Sequence, residues 1–560
     1  MRKILSILLI CGLACTANAV PAYPGWITYP QADGSTIELQ QLGDEFAHVL
    51  INRDGEQVRL NEAGMYEVVG AAPSMMQLRA RRAASQRVQA RKVRKEFGVT
   101  PNLAPRGVVI MVNYQDQTFE TEHTRDIIDS LCNAVDCKVN SHRGTYYPSA
   151  AQYFADQSDG AYRPIFDVYG PYTLSRKTSY YGENDDTKDA NDKRAVNMLI
   201  EACKLADEAG VDFTPYDSDE DGKIDFVYVL YAGKGEANGG GASTVWPHSW
   251  SVDEQLEFEE YYAEHPEEFV EEYKAEFVPY LTQEYTLDEC FVDGKQINTY
   301  ACSNELSGSS LDGIGTLCHE FGHVMGLPDF YDIYYGTNST EGLTPGKWDV
   351  MDQGSYNKSG HCPPNYSAWE KYFFGWHTPV SVGSEGQDLT MVANGQTGYQ
   401  AYQLYSGDDL IAVNDSLPND EVCYYLENRQ QQGWDAGVPG HGMIIWQIRY
   451  SKTAWKNNEP NTEDYQPRYT LLPAHEDAYV GTSADPYPGD DRVKSVTIAG
   501  KPITAITEKN GTITFQINGG TPQGLESEEL RGKSGKFIRE GQLIIQRGEG
   551  EYTILGTKIR

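Results

Sequence analysis

Apolar and polar positions divide the chain into stretches of different period. Gly107-Val108-Val109-Ile110-Met111-Val112 is a continuous apolar run behind Pro105 and predicts a buried strand, as does Phe226 to Tyr231. Ala190 to Ala209 places apolar residues at helical spacing, and Gly313 to Met325 predicts a second helix. Between them Asp253 to Phe277 carries eleven acids and one lysine, the pattern of an inserted, solvated acidic helix. After about residue 380 the helical period gives way to short strands, Asp420 to Glu427, His441 to Ile448 and Gly511 to Ile517, punctuated by Asn-Gly and Gly-Gly. The pattern is therefore mixed α/β followed by a β-rich region. From Thr521 a charged linker leads to two short alternating segments around Gln542 and Tyr552, read as an appended hairpin or a sorting tail.

The N-terminus departs from this scheme. Arg2 and Lys3, the apolar run Ile4 to Ala14 and Ala17-Asn18-Ala19 have the layout of a signal peptide with an A-x-A cleavage site, which predicts export. Residues 20–104 contain no cysteine, and Arg79 to Lys95 is a basic helix pattern with eight basic residues and no acid. This part holds 10 basic and 9 acidic residues, against 34 and 72 in residues 105–560, so the two should attract. A removable N-terminal propeptide is the expectation, and its basic stretch is the expected place of cleavage.

With 560 residues, 40% of them hydrophobic, several folded units are expected. The net charge of −35 disfavours nucleic acid and anionic lipid as partners, and the sole sustained apolar run is the N-terminal one. Beyond the signal peptide stand eight cysteines (132, 137, 203, 290, 302, 318, 362 and 423), an even number that in an oxidising compartment predicts disulfides, Cys132 and Cys137 being spaced for a local loop.

The decisive stretch runs from Gly315 to Asp329 and contains His319-Glu320-Phe321-Gly322-His323. Residues i and i+4 of a helix lie one above the other, so both imidazoles can reach one zinc ion while Glu320 reaches the ion's bound water. Gly326 can end the helix and turn the chain so that Asp329 becomes a third ligand, which makes H-E-x-x-H-x-x-G-x-x-D, the metzincin spacing with Asp in place of the more usual His. Glu341 is the competing third ligand. Trp348 to Gly354 fits a Met-turn, with Met351 as the apolar floor below the ligands; Tyr356 and His361 are candidates for stabilising an oxyanion. A second metal signal is Asp217-Ser218-Asp219-Glu220-Asp221-Gly222-Lys223-Ile224-Asp225, the first half of an EF-hand loop. Asp217, Asp219, Asp221 and Asp225, with the Lys223 carbonyl, would hold calcium, but Tyr228 stands where the closing Glu belongs.

The blocks His319–Asp332, Trp348–Gly354 with Ser367-Ala368-Trp369 and Gly375-Trp376, and Tyr425–Arg429 with Gly433-Trp434-Asp435 resemble the immune inhibitor A-type family of secreted bacterial metalloproteases. Tyr23-Pro24-Gly25 and Gly43-Asp44-Glu45 look like that family's propeptide, and the 521–560 tail falls outside the resemblance. The resemblance implies an α+β (mixed α/β) metzincin-like catalytic domain followed by a β-rich domain, with an N-terminal propeptide. The expected division is 1–19 signal peptide, 20–104 propeptide, 105–380 catalytic domain, 381–520 β-rich domain and 521–560 tail. It also implies a zinc endopeptidase made as a zymogen and acting on extracellular proteins, with His319 and His323 as ligands and Glu320 as general base. A cysteine switch is excluded, which leaves Asp33, Asp44 and Asp54 as propeptide carboxylates for the zinc. Two other readings are a metal-containing binding protein without turnover and a zinc hydrolase of cell-wall peptides.

Overall fold

The computed structural model describes residues 18–72, 105–253, 285–331, 343–406 and 421–520 apart from short gaps, together with the backbone of three strands between 535 and 553. The signal peptide up to Ala17, the basic stretch Arg79 to Lys95, nearly all of the acidic insertion and Glu341 lie outside these residues.

The first unit is built on a six-stranded sheet in the order Asn18–Ala19, His248–Ser251, Thr299–Asn304, Val227–Tyr231, Arg106–Asn113, Ile165–Thr173. The last four are parallel to one another, while His248–Ser251 and Asn18–Ala19 join antiparallel at one edge. Parallel strands covered on both faces need apolar residues at every position, which is why Val227–Tyr231 is buried throughout. Alternation sorts the side chains of Arg106–Asn113. Val108, Ile110 and Val112 pack on the helix Ala195–Glu208, and Val109 and Met111 pack towards the helices Arg125–Asn133, Ala150–Gln157 and Gly315–Val324.

The strands foreseen near 107–112 and 226–231 and the helix foreseen at 313–325 are present within a residue or two of each end. The helix expected from Ala190 begins five residues later, because Ala190–Asp192 pairs with Asn184–Asp185 instead. Residues 26–71 form a five-stranded antiparallel meander that the sequence reading did not foresee. Its turns are closed by Asx bonds: Asn52 Oδ1 accepts from the backbone of Asp54 and Glu56, and Asn61 Oδ1 from that of Ala63 and Met65.

Beyond residue 380 lie a five-stranded sheet (Val380–Ser381, Tyr402–Leu404, Cys423–Arg429, Gly442–Ile448, Tyr469–Leu471) and a four-stranded antiparallel sheet (Gln387–Met391, Thr512–Ile517, Lys501–Lys509, Val496–Ile498). One face of the former, with Leu426, Met443 and Ile445, packs on the latter. Its other face, with Tyr425, Ile444, Trp446 and Tyr469, joins Trp348, Met351, Trp369 and Phe321 in a single apolar core. Thus the β-rich region is continuous with the packing around the HExxH helix. The tail contains three antiparallel strands, Gly535–Arg539, Gln542–Arg547 and Gly550–Thr553.

The expected disulfides are not formed. All eight cysteines, Cys132 and Cys137 included, are free and buried. Cys132, Cys318, Cys362 and Cys423 sit in the core under the HExxH helix, Cys203, Cys290 and Cys302 in the core on the opposite face of the sheet, and there they pack as small apolar side chains. Among the described residues no helix is long and apolar enough to cross a membrane.

Candidate active site

The helix Gly315–Val324 is buried along its whole length, and it brings His319 and His323 to an Nε2–Nε2 distance of 3.1 Å. Each Nδ1 faces a carbonyl oxygen, His319 that of Val350 and His323 that of Leu327, both at 2.8 Å. A carbonyl only accepts, so each Nδ1 carries a proton, and the neutral form of each ring presents the lone pair of Nε2 to the site. Gly326, at a φ of 101°, turns the chain out of the helix as foreseen. Asp329 follows, with Oδ1 at 3.1 Å from His319 Nε2 and 3.3 Å from His323 Nε2. Asp329 Oδ1 is buried and has no hydrogen-bond partner. Two imidazole nitrogens and a carboxylate oxygen converging in a buried place form a donor set that a cation would satisfy; two imidazoles and one carboxylate suit zinc.

Glu320, on the same helix, is fully buried, and neither carboxylate oxygen has a hydrogen-bond partner. Burial, and then the charge of Asp329, push its carboxyl well above the ordinary range; the Val20 N–H, near it but outside hydrogen-bond geometry, acts weakly the other way. Met351 lies against the helix, because a Cβ on Gly322 would stand 2.6 Å from its Sδ. The backbone N–H of Phe330 donates to Met351 O at 2.8 Å, which joins the Asp329 segment to the Met351 turn.

The segment from Val20 to Tyr23 lies over this site. Val20 is fully buried; its carbonyl accepts from Trp246 Nε1 at 3.1 Å, and that of Pro21 accepts from the Tyr356 hydroxyl at 2.7 Å. Tyr356 is thus in the cleft, whereas His361 is directed to Asn140, with its Nδ1 at 2.6 Å from Asn140 Oδ1. Asp33 and Asp54 stand on exposed turns of the meander, so neither faces the histidines; the side chain of Asp44 lies outside the described residues. Reading the sequence missed Val20 to Tyr23, since nothing local marks four small and apolar residues as lying in a cleft.

In the acidic loop Asp217, Asp219 and Asp221 come together with carboxylate oxygens within 4.8 Å of one another. Lys295 Nζ donates to Asp217 Oδ2 at 2.6 Å, while Asp217 Oδ1 is buried without a partner. Asp225 is not in the group: its Oδ2 accepts from the Ser218 backbone at 2.9 Å. The backbone of Lys223 donates to Asp221 Oδ1 at 2.8 Å.

A buried HExxH helix whose histidines meet a carboxylate three residues past a left-handed glycine is the equipment of a metal-dependent peptidase. Residues 110–287 and 293–378 match the immune inhibitor A peptidase M6 catalytic domain, so this part of the chain is similar to that family. It is 26% identical over 275 residues to the pre-pro-metalloprotease PrtV of Vibrio cholerae, an overlap of 46% of this chain and 26% of PrtV. To immune inhibitor A of Bacillus thuringiensis subsp. alesti it is 27% identical over 251 residues, covering 41% of this chain and 32% of the relative. The overlap thus spans about a quarter to a third of the length of these curated relatives.

Proposed function

We propose that the chain is a secreted zinc endopeptidase, made as a zymogen and cleaving extracellular proteins. The observation that carries this reading is the convergence of His319 Nε2, His323 Nε2 and Asp329 Oδ1 beside a Glu320 carboxylate without a hydrogen-bond partner. Zinc, when bound by these three residues, would supply a Lewis acid for the scissile carbonyl and ease the ionisation of water. Glu320 would take the proton of the attacking water and pass it to the leaving amine. The Val350 and Leu327 carbonyls keep both imidazoles in the ligating tautomer.

In this reading residues 105–380 are a metzincin-like catalytic domain, 381–520 a β-rich domain and 20–104 a propeptide. Latency in this reading is steric: Val20 to Tyr23 lies over the site, held through the Val20 and Pro21 carbonyls by Trp246 and Tyr356, directly after the Asn18–Ala19 strand that pairs with the His248–Ser251 edge where a substrate strand would add. Calcium at Asp217, Asp219 and Asp221 would have a structural role in the loop before the Val227–Tyr231 strand.

One experiment tests these points. Azocasein hydrolysis and metal content are measured on the chain starting at Val20, on the chain shortened to residue 105 and on its Glu320→Ala variant. One zinc per chain in all three is expected, with hydrolysis by the shortened chain and a loss of roughly 10²- to 10⁴-fold or more in the variant. Zinc-loaded shortened chain that leaves casein intact would overturn the peptidase reading. Equal activity from Val20 and from 105 would overturn latency, and absence of calcium from chains purified in its presence would remove the second metal.

A further inference from the structure

Of the two oxygens of Asp329, only Oδ1 faces the imidazoles. Asp329 Oδ2 accepts from Asn458 Nδ2 at 2.6 Å, and the backbone N–H of Asp329 donates to Asn458 Oδ1, also at 2.6 Å. The second bond fixes the orientation of the amide: an N–H needs an acceptor, so Oδ1 must face the Asp329 backbone and the NH₂ must face the carboxylate. The pair is buried on both sides, Asn458 being 3% and Asp329 1% exposed. Asn458 comes from the β-rich region, 129 residues further along the chain and beyond the part that matches the peptidase family.

Its loop is anchored by independent contacts. Asn461 Nδ2 donates to Phe330 O and to Tyr469 O, each at 2.7 Å, and the Phe330 ring stacks on Tyr469 at 3.6 Å and 7°. The backbone of Asn458 has a φ of 53°, a conformation that among residues other than glycine is most open to Asn and Asp. A carboxylate held through one oxygen and its own backbone N–H cannot turn about its last torsion, so its other oxygen stays aimed at the two Nε2 atoms. The histidines take their orienting partners from neighbouring turns, Val350 and Leu327; Asp329 takes its own from a segment 129 residues further along the chain.

We propose that Asn458 is the positioning residue for the third metal ligand, so that the metal site is completed by the β-rich region and not by the peptidase domain alone. The inference rests on the reading of Asp329 as a ligand. Zinc dissociation constants, measured by competition with a chromophoric chelator, and melting temperatures with and without zinc test it on the whole chain. The set is the native chain, Asn458→Gly, Asn458→Asp, Asn461→Ala and Asp329→Ala. Glycine accepts the backbone conformation while deleting the amide; aspartate keeps an acceptor for the Asp329 N–H but turns an oxygen towards Asp329 Oδ2. Both should weaken zinc binding by roughly 10- to 100-fold. Asn461→Ala, which loosens the same loop without touching the carboxylate, should lower melting equally with and without zinc and leave the dissociation constant within about twofold. Native zinc affinity in both Asn458 variants, with Asp329→Ala having lost zinc, would overturn the positioning role alone. Native affinity in Asp329→Ala would overturn the ligand reading and this inference together.

Discussion

His248 shows what burial does to a single titratable side chain. Its Nδ1 donates to Trp246 O at 2.7 Å, its Nε2 accepts from the Tyr300 hydroxyl at 2.9 Å, and Cys302 Sγ lies 3.5 Å from Nδ1. Burial lowers its pKa to about 4, against the ordinary 6.5 of the unfolded chain. Between these values the unfolded state binds the extra proton. Stability is therefore complete above about pH 6.5, is lost as the pH falls towards 4, and then levels off, a difference of up to about 3 kcal/mol. Denaturant titrations of chelator-treated protein at pH 7 and pH 5 should show this loss in the native chain and a smaller one in His248→Gln. An equal loss in both would place the acid sensitivity elsewhere.

At the scale of elements, the strand Cys423–Arg429 is riveted to the turn that carries Met351. Fully buried Arg429 donates through Nε and Nη2 to Asp435 at 2.7 and 2.5 Å, through Nη1 to Glu427 at 3.2 Å, and through Nη2 to the carbonyls of Trp348 and Asn365 at 3.3 and 3.1 Å. Arg429→Met keeps the bulk but leaves two buried carboxylates without their cation, an expected loss of about 3–5 kcal/mol. A shift of the denaturation midpoint smaller than about 1 kcal/mol would show that water reaches the network. Much of this scale was legible. The apolar run at 107–112 and the helical period around 313–325 hold because local pattern and burial agree there, whereas the helix start at Ala190 failed because strand pairing overrode spacing. The meander at 26–71 had readable Asx turns, but its strands are short and half exposed, so their alternation is weak.

At the scale of the whole molecule, one apolar core runs from the six-stranded sheet through Phe321, Met351 and Trp369 to Trp446 and Tyr469. A chain cut at residue 380 would expose the half of that core below Trp348 and Trp369 and lose Arg429, Asn458 and the Tyr469 stack. It should bind a hydrophobic dye, be cleaved readily by proteases and retain zinc weakly, as limited proteolysis and metal analysis of residues 105–380 would show. Compact, zinc-loaded protein from this fragment would mean that the two regions are separable. The opposite charges of the N-terminal part and the remainder suggested attraction. Among the described residues the docking includes His48, whose ring stacks on Trp246 at 4.7 Å and whose Nε2 lies 3.2 Å from Glu236 Oε1; the basic stretch Arg79 to Lys95 lies outside those residues.

The sequence by itself determined the chemistry of the site. His319, Glu320, His323, Gly326 and Asp329 are within eleven residues, and helix geometry plus one glycine turn suffices to bring their side chains together. The spacing of Asp217, Asp219 and Asp221 was also local, and there too three carboxylates meet. Only the tertiary structure decided what surrounds these groups: Val20 over Glu320, Asn458 behind Asp329, and eight buried thiols left unpaired, seven of them in two cores. Each of these is a contact between residues separated by tens to hundreds of positions. Such a contact leaves no periodicity or spacing in the chain, because it depends on how whole sheets pack and not on the conformation of any one segment.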